Sequence, residues 1–367
     1  MRTLWRNILL AAAFFVLAGC NVWSDIEEVN PLCDLSISVV VSDMPGAPTK
    51  AVNINPGDYI GAMHDGEKMQ TLRIIIVRPD GTVEHNRFMD FYGTIKKAYL
   101  EVSDVTFKVV GGERKEVYLI VNENAVQEGL SGSEELLLNC DFDNYTPGSI
   151  FPVNDDVEGS DDASEWTISL YENNAQVPSA ALPMSERHTF DMPLQDHHED
   201  FWVTRAAVKF TWLFVNETGD TDYDLSKLTI SKASRKEYWL PNTTEYDADY
   251  AIKNYVVPNV ENNDYYVYEQ EISGVTIGTK NNSDEPVTLK PIYLLEGKYT
   301  DAASDGKNYS MSVTLNGTEY SSYFPDLPQL PRNTHVVVVI TLKNHDVTWT
   351  VDVYPYGEYW LYPGFGQ

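Results

Sequence analysis

The chain has 367 residues, and its 26 basic and 55 acidic side chains give a formal net charge of −29. Charge of that sign and size repels a phosphate backbone, which excludes nucleic acid as a partner, and it keeps an exported chain in solution. The length is enough for two domains, each with a core of its own.

In chain order, residues 1–19 carry Arg2 and Arg6, then the apolar stretch 8–17, then Ala18 and Gly19 ahead of Cys20. Basic start, short apolar core and small residues mark a signal peptide, and the core is too short to span a bilayer comfortably. Leu17-Ala18-Gly19-Cys20 resembles the bacterial lipobox, in which the cysteine is acylated and becomes the mature N-terminus. Two or three acyl chains on Cys20 would anchor the protein stably in a membrane, where a single chain would be marginal. Cys33 and Cys140 are the other cysteines; two make no disulfide framework, and unlinked thiols are expected.

Residues 21–33, with Asp25, Glu27 and Glu28, read as an acidic tether. Leu35, Ile37, Val39 and Val41 then alternate with Ser36 and Ser38, which predicts a first strand with one buried face. Pro45, Gly46 and Pro48 break it, and Lys50-Ala51 sits in the loop that follows, the kind of exposed segment where proteases cut. Residues 72–78 and 82–87 flank Pro79-Asp80-Gly81 and predict a hairpin. Residues 102–110 and 116–121 predict two more strands around Gly111-Gly112, and residues 133–140 a short helix.

The carboxylates of residues 153–166 lack the spacing of a calcium loop and read as a solvated loop. His197, His198, Glu199 and Asp200 are potential zinc ligands by type, but adjacent histidines converge on one ion poorly, and the run reads as a linker. Beyond it Ala206, Val208, Phe210, Trp212 and Phe214 face one way, with Arg205, Lys209 and Thr211 on the polar side. Residues 225–231, 287–295 and 311–315 continue the strands, the last ending in an Asn316-Gly317 hairpin turn. The continuous apolar run 335–342 predicts a strand buried on both faces, and Val347, Trp349, Val351 and Val353 a half-exposed partner. Residues 354–367 are aromatic and nearly uncharged, unlike a solvated tail, and need burial on this protein or on a partner. The six Asn-x-Ser/Thr tripeptides read as turn and strand residues. The predicted fold class is all-β: two β-sandwich domains in tandem with few short helices.

No nucleophile elbow, phosphate loop or His-Glu-x-x-His stands in the sequence, so neither enzyme nor cofactor is expected. Several features in order resemble the fimbrillin superfamily of Bacteroidales pili. They are the Cys20 lipobox, the hairpin from Leu72, Leu182-Pro183-Met184 followed by residues 204–209, residues 331–339, and Trp349 to Val353. The resemblance implies transthyretin-like, Greek-key sandwiches and an organisation of signal peptide 1–19, tether, first strand and cleavable segment 20–50, N-terminal domain 51–200 and C-terminal domain 201–367. It implies a cell-surface fimbrial subunit carried to the outer membrane, with a maturation protease and other pilus subunits, identical or minor, as partners.

In polymerising members of that family the first strand is lost by proteolysis and a neighbour's C-terminal segment fills the groove. Carried over, the cut would fall between Lys50 and Ala51, with lysine where arginine is usual. The donor would be residues 354–367, with Tyr356, Glu358, Trp360 and Tyr362 alternating. Anchor and tip subunits are the alternative roles within the family. Outside it the alternative is an outer-membrane lipoprotein binding glycans, suggested by an aromatic content of 12%.

Overall fold

The computed structural model describes residues 30–42, 65–123, 142–152, 167–168, 181–234, 237–238, 240, 265–279, 286–298, 309–323, 329–330, 332–343 and 346–355. Strands dominate them. The first group is β1 (Leu32–Val41), β2 (Thr71–Val77), β3 (Val83–Asp90), the single-turn helix α1 (Tyr92–Ile95), β4 (Glu101–Val110) and β5 (Arg114–Val121). It continues with the short β6 (Thr167–Ile168), then β7 (Met184–Asp191) and β8 (His197–Arg205). The order across the sheet is β3-β2-β5-β7-β8-β1-β4. β7 and β8 pair only at Met184↔Arg205 and Ser185↔Thr204, so the sheet turns a corner there. The apolar faces of β1, β4 and β8 meet those of β2 and β5 in one core that includes Leu35, Ile37, Val39, Ile74, Ile76 and Leu119.

The second group starts at β9 (Val208–Asn216) and β10 (Tyr223–Ser234). It runs on through β11 (Glu237–Tyr238), β12 (Tyr265–Ile277), β13 (Val287–Thr288), β14 (Ile292–Leu294), β15 (Gly297–Lys298), β16 (Ser310–Leu315) and β17 (Thr318–Tyr323). Last come β18 (Gln329–Leu330), β19 (Thr334–Lys343) and β20 (Asp346–Pro355). Sheets β12-β10-β16-β17 and β13-β9-β19-β20 enclose a second core around Phe210, Trp212, Leu228, Met311, Val313 and Val338. The described chain is thus an all-β tandem of sandwiches.

Local sequence explains the elements. β1 alternates strictly between buried and half-buried residues. β2 is apolar throughout because both its faces are covered: Leu72, Ile74 and Ile76 face the first core, while Ile75 and Val77 pack with Tyr118, Ile120, Phe142 and Phe151. Asn316 and Gly317 both take positive φ, 49° and 75°, in the two-residue turn that joins β16 to β17. β19 departs from the expectation of two buried faces: Val336, Val338 and Ile340 are buried, but Val337 and Val339 are only half-covered. Its other face looks away from the core. The helix predicted at residues 133–140 lies outside the described residues.

Gly112 closes the β4–β5 turn at φ 70°, where an added Cβ would stand 2.6 Å from Leu194 Cδ2. Gly112→Ala is expected to lower stability by about 1–2 kcal/mol, from left-handed strain and from displacing Leu194. A denaturant titration of the two proteins checks it.

Candidate functional site: the first strand and the clamp at its end

β1 is an internal strand. It pairs antiparallel with β4 from Leu32↔Val110 to Val40↔Glu101, with an irregularity between Ile37 and Val39. On its other side it pairs parallel with β8 from Leu35↔His197 to Val41↔Val203. Leu35, Ile37 and Val39 are completely buried, and Val41 nearly so. Burial of each such side chain contributes about 1.5–3 kcal/mol, so four of them approach the whole stability of an ordinary domain. Withdrawing β1 would also strip two ladders of their partners, which is costly unless another extended segment replaces it.

The polar run at residues 197–200 is the first half of β8 and not a linker. Backbone pairing to β1 carries it, so half-exposed polar side chains are tolerated. His197 Nε2 lies 2.7 Å from Glu199 Oε1, and His198 Nε2 lies 2.9 Å from Asp200 Oδ1. Alternation along a strand sends the two pairs to opposite faces. Among the described residues no cluster of three potential ligands could hold a metal.

β1 ends in a buried polar clamp. Ser42 N donates to Val203 O at 2.8 Å. Ser42 O accepts from Arg205 Nη1 at 3.2 Å and from Asn333 Nδ2 at 2.9 Å. Arg205 Nε donates to Glu67 O at 2.9 Å, and Asn333 N donates to Ala207 O at 2.8 Å. Glu67, in the 3-10 turn Asp65–Glu67 ahead of β2, accepts from Tyr293 OH at 2.5 Å and pairs with Lys209 Nζ at 3.0 Å. A second buried pair stands alongside, with Arg332 Nε 2.9 Å from Glu296 Oε1 and Arg332 Nη1 3.4 Å from Ser185 Oγ in β7.

Glu67, Arg205, Asn333 and Ser42 have no exposed surface. Burial pushes the Glu67 carboxyl up, but Lys209, Arg205 and the Tyr293 hydroxyl outweigh it and hold the group below its ordinary range. Groups so enclosed cannot meet a substrate; they bind β1, β8 and the 3-10 turn to β9, β14 and the turn before β19. Asn333 takes φ 55°, a left-handed conformation that asparagine tolerates better than most residues.

Sequence reasoning missed this clamp. It put Arg205, Lys209 and Thr211 on a polar face, whereas the structure buries all three: Arg205 ends β8 against Glu67 O and Ser42 O, Lys209 pairs with Glu67, and Thr211 bonds His335 of β19. The alternation read across residues 205–214 spans two strands, the end of β8 and β9, separated at Ala206 and Ala207. Cys33 is buried and its thiol is free. Cys20, Lys50, Ala51, Tyr356, Glu358, Trp360, Tyr362, Cys140 and the acidic run 153–166 lie outside the described residues.

No family model matches the chain, and no curated protein matches it. Among solved structures it is similar to the tip fimbrial protein Mfa3 from Porphyromonas gingivalis with C-terminal truncation, at 11% identity and TM-score 0.49, over 88% of this chain and 99% of that one. It is similar also to a fimbrial assembly protein from Parabacteroides distasonis, at 13% identity and TM-score 0.44, with the same coverage of 88% and 99%.

Proposed function

We propose that this protein is a structural subunit of a cell-surface fimbrium, made as a lipoprotein acylated at Cys20 and carried to the outer membrane. Cleavage between Lys50 and Ala51 frees β1, and an extended segment from a neighbouring subunit takes its place. Residues 356–367 of this chain, the predicted donor 354–367 without Tyr354 and Pro355, which belong to β20, complete a neighbour in turn. Donor and groove are different surfaces, so the contact is head-to-tail and propagates. The two cores are read as the two domains of such a subunit. The observation that carries this reading is β1 itself: both its edges and one whole face are used, and its exit leads directly into the segment that holds Lys50.

The clamp on Ser42 favours a second role within the same class, an anchor that keeps its lipid and its first strand. N-terminal sequencing and intact mass of protein taken from the native cell surface separate the two. A chain beginning at Ala51 without lipid is the polymerising form; a lipidated chain beginning at Cys20 is the anchor. Deleting residues 356–367 is expected to leave a folded monomer and to abolish its incorporation into fibres. Normal fibres from that truncation would sink the donor role.

Glycan binding draws less support. A depression of about 340 Å³ on the β12-β10-β16-β17 sheet is lined by Lys227, Thr229, Ser231, Glu269, Ser312 and neighbours, with no aromatic side chain among its lining. Such sites ordinarily combine a few placed polar groups with apolar and aromatic walls.

A further inference from the structure

The side chains that fill the β1 site bear on which chain can replace β1, a question that rests on the strand-replacement reading above. The inward positions of β1 are Cys33, Leu35, Ile37, Val39 and Val41, and none is more than 4% exposed. Four of the five are aliphatic and three of those are β-branched. They pack in one continuous core with Leu72, Ile74, Ile76, Val117 and Leu119, all at 0% exposure. A core at that density accepts extra volume poorly, and each pocket is set to the side chain it holds. At the far end the strand must present a backbone carbonyl to Arg205 and Asn333.

The chain's own aromatic segment does not meet these demands in either phase. With Tyr356, Glu358, Trp360 and Tyr362 inward, three large rings and a carboxylate would enter pockets that hold Leu, Ile and Val. The carboxylate would be buried among aliphatic side chains with no cation to pair it. With the other phase inward, Gly357 leaves a pocket empty, Tyr359 overfills the next, and Pro363 falls where β1 uses both its edges. Proline brings no N–H to a ladder and is confined to edges and bulges.

We propose that the β1 site of this protein is not completed by a second copy of this chain. Its partner is a different protein, whose extended segment carries aliphatic, mainly β-branched side chains at four alternate positions and ends them with a peptide carbonyl at the place of Ser42 O. The aromatic segment at residues 354–367 is correspondingly addressed to a wider groove on another subunit. The protein therefore occupies a defined place between unlike neighbours and does not build a homopolymer.

The test uses the full chain with a site-specific protease sequence around Lys50, nicked there so that β1 stays seated until it exchanges. Three labelled peptides are offered: residues 30–42, residues 354–367, and the latter with Y356I, E358V, W360V and Y362L together. Anisotropy and native mass report insertion. The residue 30–42 peptide is expected to insert, the native 354–367 peptide to bind at least about 100-fold more weakly, and the substituted one to recover most of the difference.

Equal insertion of the two native peptides, or a ladder of oligomers from the nicked protein alone, would overturn the proposal and leave strand replacement standing. Failure of the substituted peptide would overturn the size-matching on which it rests. If even the 30–42 peptide does not enter, strand replacement itself falls and the proposal goes with it.

Discussion

Arg205→Ala is expected to lower the unfolding free energy by about 3–5 kcal/mol, the range for removing one partner from a buried charged network. The guanidinium bonds Glu67 O, Ser42 O and Asn333 Oδ1, so its loss takes a donor from three separate segments and removes one of the two cations that hold the Glu67 carboxylate. Because these segments belong to both halves, the damage should not stay in one of them. Amide hydrogen exchange should show faster opening in β1 and in β19 together. Arg205→Lys keeps the charge but not the planar fork that spans three acceptors, and should fall between the two. Loss of protection in one half only would mean that the clamp does not couple them.

Acid is expected to destabilise the fold strongly between pH 6.5 and about pH 4. His188 is buried against Phe201 and Trp202, its Nε2 2.7 Å from Trp202 O, and burial holds it down to about 4 in spite of that bond. His335, beside Thr211 Oγ1 at 2.8 Å, is held down to about 3 by burial and then by Lys209, with Glu67 opposing. Both are neutral in the folded protein, whereas an unfolded chain binds their protons near pH 6.5. Their stabilising contribution is therefore complete above pH 6.5 and is lost as pH falls toward the folded values, below which it declines no further. For His188 the separation from 6.5 to about 4 corresponds to about 3 kcal/mol.

Glu67, held below 4.5, adds a loss of the same sign under pH 4.5. Shedding part of the −29 net charge acts the other way, but repulsion between exposed charges is screened over about 8 Å at physiological salt and does not reverse the result. Urea midpoints at pH 7.5 and 4.5 measure the effect, and His188→Gln, which keeps an N–H for Trp202 O, should remove the His188 share and leave that of His335. An unchanged midpoint across that range would contradict the assignment of both histidines as buried and neutral.

The elements read correctly from the sequence share one property: their signal is local. Leu35, Ile37, Val39 and Val41 announce β1 by their spacing, Asn316-Gly317 announces its hairpin by backbone preference, and Val347 to Val351 announce a half-exposed edge strand by alternation. Tertiary structure decided what depends on the far side of a strand. Residues 197–200 are polar by composition yet form a strand, because β1 supplies the backbone partners. Arg205 and Lys209 look solvent-facing by phase yet are buried, because Glu67, Asn333 and Tyr293 arrive from distant parts of the chain to pair with them or with one another. Periodicity tells which side chains share a face. What that face meets is decided by contacts across more than a hundred residues, as between Arg205 and Asn333, and no window of sequence contains them.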